Sequence, residues 1–128
     1  MPGTETPITP EVFDQLQAAM AADRAGLTEL YRDYLGDAWH TLQLLREAVR
    51  QQRPQEAREK AHYLKSSSLV LGAREMARHA SKIEELALAT ELTDELMLDR
   101  LADALTEVQA ELAERLGGGV LPAGRTAA

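Results

Sequence analysis

Apolar residues recur along this chain at three- and four-residue intervals, the spacing of one face of an α-helix, in five successive stretches. After a lead rich in Pro and Thr, Thr9-Pro10-Glu11 has the parts of a helix start: a hydroxyl for the cap, proline at the first helical position and an early acid. Val12, Phe13, Leu16, Ala19 and Met20 then predict a short helix ending near Ala22-Asp23. A longer stripe of Leu27, Leu30, Tyr31, Tyr34, Leu35, Ala38, Leu42, Leu45 and Val49 predicts a second helix from about Arg24 to Gln52, jogged at Gly36. Arg53-Pro54 breaks it, because proline disfavours a helical residue before itself and suits the next helix's first turn.

The third helix runs to about Leu71, with Ala57, Ala61, Leu64, Ser68 and Leu71 on one face. Gly72 ends it in a left-handed conformation, and Met76, Ala80, Ile83, Leu86 and Ala87 predict a fourth helix from Ala73 to about Thr90. Thr93-Asp94 opens the last, whose Leu98, Leu101, Leu105, Val108 and Leu112 form the seam of a near-antiparallel bundle, and Gly117-Gly118-Gly119 stops it. The expected fold is all-α: an antiparallel up-and-down four-helix bundle with a short additional N-terminal helix capping one end. Residues 1–8 are expected to be a flexible N-terminus, 9–116 a single domain and 117–128 a disordered, Gly/Pro/Ala-rich tail.

Composition agrees with helices and narrows the partners. The chain has 128 residues, one domain's worth, with 45% hydrophobic and only 4% aromatic side chains. A net charge of -7 argues against binding nucleic acid or an anionic membrane by bulk electrostatics, so a protein partner is expected. There is no cysteine, hence neither a disulfide nor a thiolate metal site. No apolar run approaches the roughly 20 residues of a membrane span, and Met1-Pro2-Gly3-Thr4-Glu5-Thr6-Pro7 lacks the basic and apolar regions of a signal peptide. A cytoplasmic protein is expected, and a monomer, since a closed bundle buries its own apolar faces.

The chemistry concentrates on the third helix. His62 and Lys65 stand three apart, which places imidazole and ammonium on one face. A neutral imidazole is nucleophilic near physiological pH, and a cation one turn away can hold an incoming phosphoryl group. From the centre of the apolar face, at about 100° per residue, His62 lies about 140° away, Leu69 about 120°, Arg58 about 100°, Lys65 about 80° and Ser66 about 180°. The histidine therefore points to solvent from a helix whose buried side is small and closely packed.

The stretch Ala61-His62-Tyr63-Leu64-Lys65-Ser66-Ser67-Ser68, with Leu71-Gly72-Ala73 ending the helix, resembles the signature of histidine-containing phosphotransfer (HPt) domains of bacterial phosphorelays. The resemblance covers about residues 8–116, including a partner helix ending in Ile83-Glu84-Glu85-Leu86. It implies that His62 accepts a phosphoryl group from the aspartate of one receiver domain and passes it to another, with Lys65 stabilising that group. The partners implied are receiver domains of response regulators or hybrid sensor kinases. Where most of the family has glycine, four residues after the histidine, this chain has Ser66, which either crowds the receiver's approach or donates a hydrogen bond.

The residue types then suggest a division of labour. One nitrogen of His62 attacks in line while the other is held by an acid such as Glu59 or by water. Lys65 offsets charge on the equatorial oxygens, and Leu69, with Arg58 and Glu59, is expected to dock the partner, Leu69 adding apolar contact. Mg2+ belongs to the receiver, because no clustered carboxylates adjoin His62, and this chain needs no cofactor of its own. Nothing resembles a nucleotide loop or a nucleophile with a triad partner, so the expected protein is a phosphocarrier rather than an independent enzyme. The dimerising histidine helix of sensor kinases fits less well, because an acid usually follows the histidine there and Tyr63 does here.

Other features carry plainer expectations. His40 and His79 are solvated surface residues, and a metal site joining His62 to His79 has no carboxylate partner in the sequence. Ser68, and with it Ser67, reads as a buried small residue. Glu84-Glu85 and the arginines 46, 50 and 53 read as solvated helix faces. The tyrosines and Trp39 read as core or near-core residues. The competing function is a helical adaptor that binds a signalling protein through the His62/Leu69 face and is never phosphorylated.

Overall fold

The computed structural model describes residues 6–20, 23–89 and 94–122, and each periodic stretch is a helix. In order these are α1 (Pro10–Ala19), α2 (Arg24–Arg50), α3 (Pro54–Leu71), α4 (Arg74–Leu88) and α5 (Glu95–Leu116), with a 3-10 turn at Gly118–Val120. Among the described residues there is no strand. The expected ends at Ala22, Thr90 and Thr93 lie outside the described residues. Asp23 and Asp94 begin α2 and α5 by accepting from the backbone N–H groups of Gly26 and Met97 at 2.9 and 3.0 Å. Thr9 sits at the start of α1, but its hydroxyl makes no cap hydrogen bond.

Successive long helices pack as neighbours, α2 on α3, α3 on α4 and α4 on α5, and α5 returns to α2, closing the cyclic order of a four-helix bundle. The α3–α4 connection is the tightest. Gly72 has φ of 86°, its N–H reaches the Leu69 carbonyl at 3.3 Å, and the Ala73 N–H closes onto the Ser68 carbonyl at 2.8 Å. α1 lies over this end: the Thr9 N–H donates to the Gly72 carbonyl at 2.9 Å, and Phe13 stacks on Tyr31 with ring centroids 5.8 Å apart.

The buried face of α3 is Ala57, Ala61, Leu64, Ser68 and Leu71, as its spacing predicts. Two tyrosines of α2 fasten it. The buried Tyr31 hydroxyl donates to the Leu71 carbonyl at 3.1 Å, and Tyr34 pairs with Ser68 Oγ at 2.7 Å. Burial pushes both phenols up to about 12, against the opposing pull of Arg115 near Tyr31 and of the Ser68 bond on Tyr34. They are neutral hydrogen-bonding groups at any physiological pH.

Some expectations change. α2 runs unbroken through Gly36, where Pro122 packs against it. Leu30 lies on the surface rather than in the stripe, whereas Thr41 and Ala48 are buried. Ile8, expected in the flexible lead, is fully buried, and so is Val120, expected in the disordered tail. Both are single apolar residues without periodic neighbours, so pattern alone gives no sign that the bundle ends recruit them. Residues 1–5 and 123–128 lie outside the described residues.

Gly72 offers the sharpest test of this packing. A Cβ there would sit 2.9 Å from Val12 Cβ at a φ that L residues rarely adopt. Gly72→Ala should cost about 2 kcal/mol, read as a lower urea midpoint at unchanged slope. A loss below about 0.5 kcal/mol would show that α1 does not bear closely on the turn.

Candidate functional site

The outer face of α3 carries the residues singled out by spacing, and the structure divides them into two groups. His62 is well exposed, with 58% of its side chain open to solvent, and Lys65 is half-buried toward α4. Between them stands an acid whose place in the sequence reads as a solvated helix face. Glu84 of α4 receives His62 Nδ1 on Oε2 at 2.8 Å and Lys65 Nζ on Oε1 at 3.4 Å. Its side chain is only 17% exposed.

This carboxylate settles the electrostatics locally. Burial alone would raise its pKa, but the hydrogen bonds from His62 and Lys65, and their charges, outweigh burial and hold it below the usual carboxylate range. An ionised carboxylate only accepts, so Nδ1 carries the proton and, in the neutral ring, the lone pair resides on Nε2. Glu59, expected to hold the ring, is exposed, and its carboxylate has no hydrogen-bond partner among the described residues. It lies on the outer surface of the histidine's own helix. Glu84 reaches in from the helix alongside, so it is no longer a plain solvated acid.

The remaining predicted residues distribute around this pair. Ser66 is exposed and Arg58 half-buried, and Arg58 has no ion pair among the described residues. Leu69 is 52% exposed, with Val70 beside it still more open. Ser68 is fully buried, but Ser67 is half-buried and donates to the Tyr63 carbonyl at 3.0 Å. His40 is exposed, and His79 lies 3.4 Å from Glu75 of its own helix. No group of three or more His, Asp or Glu side chains among the described residues is arranged to hold a metal ion.

Tyr63 corrects the expectation that the tyrosines belong to the core. It is exposed, on the α2 side of His62, and its hydroxyl donates to Asp37 of α2. That bond, then slight burial and the carboxylate's charge, raises the phenol's pKa and keeps it a protonated donor. Trp39 is half-buried, with its indole N–H on Gln109 at 2.9 Å.

An all-helical bundle that presents one imidazole through a fixed Nδ1–H, with a lysine beside it, has the form of a carrier for a group transferred on histidine. The sequence matches the Hpt domain model over residues 29–111, which include His62, Lys65 and Glu84, and the chain belongs to that family, whose activity is histidine phosphotransfer within phosphorelays. Hpt domains work as phosphocarriers that engage receiver domains. The fold is shared with the crystal structure of histidine-containing phosphotransfer protein B from Pseudomonas aeruginosa PAO1: TM-score 0.79, 22% identity, 85% of this chain and 93% of that chain covered. No curated protein matches the sequence. No helix among the described residues is long and apolar enough to cross a membrane.

Removing the carboxylate tests its role. Glu84→Ala should slow phosphoryl transfer to this protein by about ten- to hundredfold, the worth of one charged hydrogen bond, and Glu84→Gln by less. Because its pKa is depressed, the Glu84 bridge should be fully present above the ordinary carboxylate range and be lost only as pH falls below it. An NMR titration in which the Glu84 carboxyl titrates at or above the ordinary value would contradict this.

Proposed function

We propose that His62 is the phosphoryl acceptor, taking the group from the phosphorylated aspartate of one receiver and passing it to the aspartate of another. The observation that carries this is the His62–Glu84–Lys65 arrangement. Nε2 attacks phosphorus in line as the bond to the aspartyl oxygen breaks, and the bonding pair leaves with the carboxylate. The Nδ1–H stays on the ring, and Glu84 faces the positive charge that the imidazole gains. Lys65, already beside that carboxylate, is within reach of the equatorial oxygens. Passing the group on is the reverse sequence with a second receiver.

In this reading the chain is a carrier with no catalytic activity of its own, and Mg2+ is contributed by the receiver. It acts as a cytoplasmic monomer and binds neither nucleic acid nor membrane. Leu69 and Arg58 contact the receiver, with Val70, Leu30 and Tyr63 extending the apolar contact. Ser66, one turn after His62 on the outer face, meets the receiver's approach to the ring.

Incubation with phosphorylated receivers should place acid-labile, base-stable phosphate on the wild-type protein and none on His62→Gln. Label surviving His62→Gln, or none from any receiver that binds, would overturn the proposal. Preserved partner binding and cellular output in His62→Gln would instead favour the unphosphorylated adaptor. Ser66→Gly should change the transfer rate or the ranking of receivers; identical rates and ranking would remove Ser66 from the site.

A further inference from the structure

Of the seven large apolar side chains exposed among the described residues, Leu30, Tyr63 and Val70 lie on the α2–α3 flank beside His62, whereas Leu69 stands on the α4 side of α3 with His62. The pairs Tyr34–Ser68, Tyr31–Leu71 and Asp37–Tyr63 fix an antiparallel register that sets Leu30 level with the last turn of α3. At the rim of this patch stands Asp37. Its Oδ2 accepts from the Tyr63 hydroxyl, and no cation pairs with it among the described residues.

Several other acids are paired with cations. Glu47, Glu56 and Glu75 each face an arginine of their own neighbourhood, and Glu95 and Asp99 share Arg46. Asp37 is instead immobilised by a neutral donor, which fixes its position and leaves its charge intact. An apolar patch with a fixed charge at its rim has the anatomy of a protein interface, where such charges govern encounter rate and partner choice.

We infer that Asp37, held by Tyr63, selects among receiver domains by requiring a lysine or arginine on the receiver surface that covers it. This rests on the receiver-docking reading above. Two physical reasons point to a cation. Docking that desolvates an unpaired carboxylate is costly unless an opposite charge compensates it. The phosphoryl group arriving on neighbouring His62 is itself anionic, so an uncompensated Asp37 would oppose the loaded complex.

The test titrates isolated receiver domains against the intact protein by calorimetry, in parallel with phosphate labelling of His62. Asp37→Lys should weaken binding of the accepted receivers by about tenfold and reverse the salt dependence, and Tyr63→Phe, which keeps the ring but frees the carboxylate, by about twofold to threefold. Reversing the facing receiver cation to glutamate should restore binding to Asp37→Lys. Unchanged affinity in Asp37→Lys with unaltered helical content, or a loss that no receiver charge reversal repairs, overturns the inference. Normal labelling with charge-blind binding sinks this inference alone. Asp37-dependent binding without phosphate on His62 sinks the transfer reading and upholds the docking inference.

Discussion

The close seating of α3 against α4 is the constraint on which the site depends. Ala57, Ala61 and Ser68 on α3, with Ala77 and Ala80 on α4, are buried small residues, and small residues let helix backbones approach. The Gly72 turn joins the two helices without slack. That combination brings the Glu84 carboxylate to His62 and Lys65 together, so a group on one helix decides which nitrogen of an imidazole on another carries the lone pair.

Support for α3 comes equally from the other side. Tyr31 and Tyr34 hydrogen-bond to Leu71 and Ser68 within the core, and no buried side-chain polar atom among the described residues lacks a partner. Farther out, Tyr63 and Asp37 bridge the same two helices at the surface. His62 thus stands on a helix tied to both neighbours, by polar contacts at two depths toward α2 and by one shared carboxylate toward α4. A rigid mount of this kind spares His62 an ordering cost when a partner docks.

Much of this was legible in the sequence, because helical periodicity reports which face is buried. The α3 stripe and the outward direction of His62 follow from it directly. Glu84 was missed because it belongs to another helix, and periodicity says nothing about partners across a groove. A signal was present nonetheless: reflecting His62 through the two-residue Gly72-Ala73 turn lands on residue 83, one short of Glu84. Glu59 was nearer in sequence but lies on the outer side of its own helix. Tyr63 reads as core or near-core when grouped with the other tyrosines, which follow helical spacing, whereas its position next to an exposed histidine puts it at the surface. Ile8 and Val120 escaped notice because isolated apolar residues among Pro, Thr and Gly form no pattern.

The central claim is that Glu84 fixes the His62 ring with the proton on Nδ1 and so leaves Nε2 as the reacting atom. The most direct measurement is the pair of 15N chemical shifts of the His62 ring, before and after loading with phosphate. The account predicts a protonated Nδ1 in both states and phosphorus coupled to Nε2. A neutral ring protonated at Nε2, or phosphorus coupled to Nδ1, would contradict it.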